Sequence, residues 1–132
     1  METVLSDPVG DKLGFMANAV ACGYYVVLLA IGLSSADKSL ERVQHRVARG
    51  GHNVRPEKVR ERYPRVLRNF AQAVNLVSAA LVVDNSTDVS EDDRGSYNAF
   101  AYFLDGKLVG EAAPIPSWWS TNYPPPPITF CD

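Results

Sequence analysis

The residues with the clearest chemical potential are ten cations on one stretch of the chain. Between Lys38 and Arg68, eight arginines and two lysines stand against three glutamates, which leaves a local net charge of +7 in a chain whose formal net charge is -2. A planar guanidinium pairs with two phosphate oxygens at once, so the preference for arginine favours an oligophosphate ligand. The alternative is that the cations form solvated helix faces. The ten cations are Lys38, Arg42, Arg46, Arg49, Arg55, Lys58, Arg60, Arg62, Arg65 and Arg68.

The same charge could instead bind a nucleic-acid backbone, which is the second interpretation of this segment. Binding to single strands normally uses aromatic side chains that stack on the bases. Only Tyr63 and Phe70 accompany the arginines, so no nucleic-acid partner is expected. His52 follows Gly50-Gly51 in a loop between basic helices, where its imidazole could donate to a phosphate, cap a helix end, or have no special role.

A P-loop nucleotide site needs the pattern Gly-x-x-x-x-Gly-Lys-Ser/Thr, whose backbone amides cradle the phosphates. The sequence lacks this pattern, since its only Gly-Lys pair, Gly106-Lys107, is followed by Leu108. The acidic segment from Asp88 to Asp93 lacks calcium-loop spacing and is predicted to be a solvated loop. No metal-ligating residues are therefore predicted.

Composition restricts the class of protein. A chain of 132 residues with 46% hydrophobic and 21% charged residues is typical of one globular domain, not of a disordered or generally basic protein. The longest apolar run, Tyr24 to Leu33, is about half of the roughly 20 residues that cross a bilayer, and the N-terminus has no signal-peptide pattern. We expect a cytoplasmic protein without a membrane partner, in which Cys22 and Cys131 are reduced thiols.

Hydrophobic periodicity predicts the helices and strands that position the basic segment. Helices are predicted from Asp11 to Cys22 with Gly23 as C-cap, from Ser34-Ser35 to Gly50-Gly51, and from Pro56 to Phe70, where Pro64 should kink or restart the helix. Buried strands are predicted over Tyr24 to Gly32 and Ala79 to Val83, and a hairpin over Tyr97 to Gly110 with an Asp105-Gly106 turn.

Strands that alternate with helices indicate an α/β fold with a parallel sheet. The two buried strands are apolar on both parities, which is typical of strands covered by helices on both faces. Two central strands are too few for a stable sheet of this kind, so the chain is predicted to be part of an α/β domain. From Ala113 onward, Pro114, Pro116 and Pro124 to Pro127 predict an extended or disordered tail, residues 113–132.

Six short motifs resemble the zeta-toxin-like P-loop kinases, and among them the bacterial proteins described as predicted ABC-type ATPases. Each motif alone is weak, but the six occur in the same order and at matching intervals between about Glu2 and Trp119. They are Glu2 to Pro8, Gly23-Tyr24 before Val26 to Leu29, Glu41-Arg42-Val43 with Arg46-Val47, Gly50 to Val54, Arg62 to Arg65 with Leu67 and Asn69, and Asp84-Asn85-Ser86.

The resemblance implies a three-layer, adenylate-kinase-like P-loop fold over residues 1–112, with a lid at about 42–65. It implies transfer of the ATP γ-phosphate, assisted by Mg²⁺, to a small-molecule acceptor that in the best-known members is UDP-N-acetylglucosamine. Arg42 and Arg46 match arginines that reach the nucleotide, and Asp84 and Asn85 match a strand end near the base. His52 and Arg62 match lid positions near the γ-phosphate, and Glu2 matches an acceptor-binding glutamate.

The sequence also departs from the family pattern. The family's phosphate-binding loop and the acidic residue that activates the acceptor lie upstream of the Glu2-Thr3 motif, and Arg55 stands where proline is frequent. We therefore expect a fragment, a truncated product or an internally placed start, without kinase activity as it stands. There are two alternatives. The chain could be a truncated interaction module whose exposed sheet edge pairs with a partner or with a second copy, or it could be a gene remnant without function. An antitoxin partner is possible by analogy with the family.

Overall fold

The computed structural model describes residues 5–6, 10–51, 54–86 and 97–125. In this part the chain forms helices α1 (Asp11–Ala21), α2 (Ala36–Ala48), α3 (Pro56–Ala73) and α4 (Ser117–Ser120). The strands are β1 (Val27–Gly32), β2 (Ala79–Asp84), β3 (Asn98–Leu104) and β4 (Lys107–Glu111). The predictions made for Glu2, His52, Cys131 and the acidic segment 88–93 lie outside the described residues.

The four strands form one sheet in the order β1-β2-β3-β4. β1 and β2 are parallel, as the sequence predicts, and α2 and α3 connect them. β3 and β4 form the predicted hairpin, and β3 pairs antiparallel with β2, so the sheet is mixed and the predicted parallel arrangement holds for one pair of strands. The protein is therefore a mixed α/β protein.

Local turn and cap signals are confirmed where the structure describes them. Asp105 and Gly106 both have positive φ, 50° and 78°, as a tight hairpin turn requires. Ser35 caps α2 by accepting a hydrogen bond from the Lys38 amide at 3.2 Å. Gly23 follows α1 with a φ of 94°, and the Tyr24 amide donates to the Ala19 carbonyl at 3.0 Å, which closes the last turn.

Helix α3 organises the helical layer, because it contacts α1, α2, α4 and β1. Its buried side chains include Leu67 and Phe70, which pack against Ala30 of β1 and Val82 of β2 in the main core. A smaller cluster of Leu40, Val43 and Val59 joins α2 to the first half of α3. Pro64 does not restart the helix, since α3 continues through it as one helix of 18 residues that is packed on both sides of the proline.

The prediction that both faces of the central strands are covered is wrong for β1 in the described part of the chain, whereas β2 has buried residues on both faces. Val27, Leu29 and Ile31 point to one face of β1 and are exposed, while Ala30 and Gly32 on the other face are buried. The described helices thus form one layer, since each of the others contacts α3. Apolar side chains on both faces of a strand are consistent with burial on both faces, but they do not show that a second layer of helices covers the strand.

The prediction of an extended or disordered tail is wrong for its first part. After Pro116, residues Ser117–Ser120 form α4, and both of its tryptophans enter the main core. Trp118 is 6% exposed and Trp119 is 2% exposed. Pro116 stands just before the helix, where its missing N–H costs no hydrogen bond, so proline there is compatible with a helical turn. Two adjacent indoles bury enough apolar area to order this segment.

Candidate functional site

The described arginines do not share one role, and two of them are structural. The Arg60 guanidinium lies 3.1 Å from the Asp37 carboxylate and joins the start of α2 to α3. Arg65 lies 3.6 Å from Glu61, one turn earlier on α3. Pairs exposed to solvent contribute little stability. For these two residues the structure favours the interpretation as ion-paired helix faces.

Arg46 and Arg62 come together at a cavity of about 310 Å³ between α2, α3 and the carboxyl end of β1. Arg46 projects from the last turn of α2, and Arg62 lies near the middle of α3. The other lining residues are mainly apolar, namely Ile31, Gly32, Leu33, Val43, Val54, Val59, Val66, Leu67 and Phe70, with Ser39 and Tyr63 as the polar exceptions. A mostly apolar cavity with two cations suits a ligand that has an apolar body and an anionic group.

The cavity has a size and position that are common for ligand sites. Its volume is at the lower end of the range of small-molecule pockets, about 300–1,000 Å³. It borders Gly32 and Leu33, where β1 ends, and ligands in α/β folds bind outside the carboxyl ends of parallel strands. The sequence predicted both arginines as site residues, and the structure places them together.

Arg42 lies on the same helix as Arg46 but contacts the end of β2. One of its guanidinium nitrogens donates to the backbone carbonyl of Asn85 at 3.0 Å. This contact ties α2 to the strand end and makes Arg42 a positioning residue for the segment that carries Arg46. Asn85 Oδ1 is buried and has no hydrogen-bond partner among the described residues.

Asp84, the last residue of β2, belongs to a polar network at the end of that strand. Its Oδ1 accepts hydrogen bonds from the Trp118 indole N–H at 3.0 Å and from the Ser86 hydroxyl. Asp84 also lines a second depression, of about 440 Å³, with Tyr97, Pro114 and Pro116. The tail helix therefore reaches the same strand ends as the predicted nucleotide site, which the sequence did not suggest.

Tyr63 is a site residue whose role the sequence reasoning missed. Its hydroxyl donates to the Leu33 carbonyl at 2.7 Å, which joins α3 to the carboxyl end of β1. Burial and, secondly, the negative charge of Asp84 raise the pKa of the Tyr63 phenol. Tyr63 stands between Arg62 and Pro64, but the sequence alone indicates only that it lies on the apolar face of the helix.

The shift at Tyr63 predicts a pH dependence of stability. Because its pKa is higher in the folded protein than the value near 10 of an unfolded chain, the folded state holds the proton more tightly. This contribution is complete below about pH 10 and is lost as the pH rises through the folded pKa. The difference in free energy of unfolding between the wild type and Tyr63→Phe should therefore shrink as the pH rises above about 10.

Urea titrations of both proteins, followed by circular dichroism across this pH range, measure the difference directly. All other ionisable groups are common to both proteins, so their contributions cancel in the difference. A difference that stays constant with pH would show that the Tyr63 phenol ionises equally in the folded and unfolded states.

The described residues include no group of three or more histidine, cysteine or acidic side chains that could hold a metal ion. Within the same part of the chain, no helix has the length and apolar character of a bilayer span. No protein-family model, curated protein or solved structure matches the chain. The fold and site define a mixed α/β protein with an arginine-lined cavity at the carboxyl ends of its parallel strands.

Proposed function

We propose that the chain binds a nucleotide phosphate at the Arg46–Arg62 cavity and is the C-terminal part of an ATP-dependent small-molecule kinase. The observation that carries the proposal is the convergence of these two arginines, from separate helices, on one largely apolar cavity. The apolar wall would hold the base and ribose, and the guanidinium groups would pair with phosphate oxygens. The resemblance to zeta-toxin-like kinases, and to their P-loop fold, supports the same ligand class.

Each predicted residue has a place in this proposal. Arg62 would stabilise charge on the transferred phosphoryl group, and Arg46 would neutralise the triphosphate. Asn85, held through its backbone by Arg42, lies at the strand end proposed for the base. Asp84 would support this strand end through its bond to Trp118. For Glu2 and His52, the proposed acceptor and γ-phosphate contacts rest on the resemblance alone.

The described residues build no site for Mg²⁺, because no suitable cluster of ligating side chains is present among them. The sequence also lacks the Gly-x-x-x-x-Gly-Lys-Ser/Thr loop. Arginines can stabilise transferred charge but cannot position a triphosphate for in-line attack by themselves. We therefore expect weak nucleotide binding by the 132-residue chain and no phosphoryl transfer to UDP-N-acetylglucosamine.

The test is a titration of the protein with ATP at low salt, followed by calorimetry. Arg46→Gln and Arg62→Gln should each weaken binding by about tenfold, which corresponds to about 1.4 kcal/mol. Tripolyphosphate should compete with ATP, whereas adenosine should bind much more weakly, because the arginines recognise phosphate. Higher salt should weaken binding through screening.

Arg68→Gln is the matched control, because Arg68 is an exposed arginine on the same helix and does not line the cavity. It should leave the affinity within about twofold of wild type, since it removes only distant, screened charge. Equal losses for Arg62→Gln and Arg68→Gln would mean that ATP senses general positive charge and not this cavity. An oligonucleotide that outcompetes ATP would favour the alternative that the basic segment binds a nucleic-acid backbone.

A further inference from the structure

The face of the sheet opposite the described helices carries a continuous row of exposed apolar side chains. The registers pair Leu29 of β1 with Leu81 of β2, and Leu81 with Tyr102 of β3, so the three lie side by side across the sheet. Val27 and Ile31 extend the row along β1. These five residues, called the open-face patch below, are between 37% and 67% exposed.

The open-face patch is as large as the largest apolar patches of soluble monomers, which are often functional surfaces. The five side chains leave roughly 500 Å² open to solvent, near the upper end of the largest patches on such proteins. Tyr25, two residues before Val27 and on the same parity, is also exposed and adds to this area. Isolated exposed apolar residues need no explanation, but a contiguous set that spans three strands indicates an interaction surface.

We propose that two copies of this chain pack their open-face patches against each other around a two-fold axis. In a two-fold interface the same surface is used by both copies, so a charge near the axis meets its own copy and is repelled. The patch contains no charged residue and meets this condition. Two such patches would bury about 1,000 Å² in total, which reaches the lower limit of specific interfaces.

The geometry favours face packing over strand pairing. The outer edge of β1 pairs with no other described strand, so it could also pair with a second copy. Pairing along this edge would leave the apolar side chains of both copies in water, because they project perpendicular to the sheet. Stacking two twisted sheets about 10 Å apart instead removes these side chains from water, as in β-sandwiches.

The experiment is light scattering coupled to gel filtration on the full chain, at several concentrations up to about 100 µM, because an interface of this size is typical of weak dimers. The wild type should approach twice the monomer mass of 14.5 kDa. Leu29→Lys should give the monomer mass over the same range, because it places two like charges in the interface. If Leu29→Lys fails to fold, as judged by circular dichroism, Val27→Lys tests the same surface.

Phe15→Lys is the matched control. Phe15 is 63% exposed on α1, which belongs to the helical layer and not to the open-face patch. This variant also replaces a large exposed apolar side chain with a charge, and it should dimerise like the wild type. If both variants lost dimerisation equally, the association would be non-specific hydrophobic contact, and the proposal would be contradicted.

Three results would overturn the inference. A wild type that is monomeric at about 100 µM would show that the patch does not hold a second copy. A dimer that survives Leu29→Lys would indicate pairing through the strand edge. A monomer that binds anionic lipid vesicles, with binding lost in Leu29→Lys, would assign the patch to a membrane surface. The inference goes beyond the nucleotide site, and calorimetry with ATP tests that site independently.

Discussion

Replacing Trp119 with alanine is expected to lower the free energy of unfolding by about 3–5 kcal/mol. Trp119 is almost completely buried, stacks on the Tyr123 ring with centroids 5.1 Å apart, and meets the Phe103 ring edge-on at 6.1 Å. Removing the indole deletes a large apolar surface and leaves a cavity that the rigid sheet below cannot close. Small domains are stable by about 5–15 kcal/mol, so this loss is a large part of the total.

Urea unfolding followed by far-ultraviolet circular dichroism measures the effect. Tyr97→Ala is the matched control, because Tyr97 is an aromatic residue that is 62% exposed, and its loss should change stability by less than about 0.5 kcal/mol. A Trp119→Ala protein within about 1 kcal/mol of wild type would mean that the tail helix does not belong to the core.

The elements that the sequence predicted well are those whose signals are local. The Asp105-Gly106 turn, the Ser35 cap and Gly23 after α1 depend on residues within a few positions of each other, and each is confirmed. Periodicity also located α1, α2 and both parallel strands, although β1 begins at Val27 and not at Tyr24. Such signals require no knowledge of what packs on the element.

The predictions that failed depend on distant contacts. Prolines after Ala113 predicted no regular structure, but Trp118 and Trp119 find partners in β3, and that packing outweighs the local preference. The apolar residues of β1 predicted helices on both faces, because sequence shows which side chains avoid water and not what covers them. Pro64 predicted a kink or a restart, and the helix does not restart, because α3 packs on both sides of the proline.

For the candidate site, the sequence predicted the residue types better than their roles. Arg46 and Arg62 line one cavity, whereas Arg42 from the same predicted set holds the Asn85 backbone. Arg42 and Arg46 are four positions apart, so helical spacing places them on one side of α2 and cannot distinguish a ligand contact from a structural one. Trp118, which contacts Asp84, lies 34 positions away and could be assigned only from the structure.

Gly32→Ala is expected to lower the free energy of unfolding by up to about 3 kcal/mol, although glycine to alanine is normally favourable in a chain. Gly32 is the last residue of β1, and the Trp118 ring packs directly on its Cα. A Cβ at this position would lie 2.7 Å from the ring carbons Cζ2 and Cζ3, which is too close for two carbon atoms. The indole must move, which also disturbs its hydrogen bond to Asp84.

A double-mutant cycle identifies the cause of this loss. Trp118→Leu removes the ring that the new methyl group would meet, so Gly32→Ala should cost much less in that background, with an interaction energy of about 1–2 kcal/mol. Gly14→Ala, at an exposed position on α1 with open space around its Cα, is the matched control and should be neutral or slightly stabilising. Additive losses in the cycle would mean that α4 does not pack on the end of β1. Coupling would show that the tail helix fixes the strand end from which the arginine cavity is built.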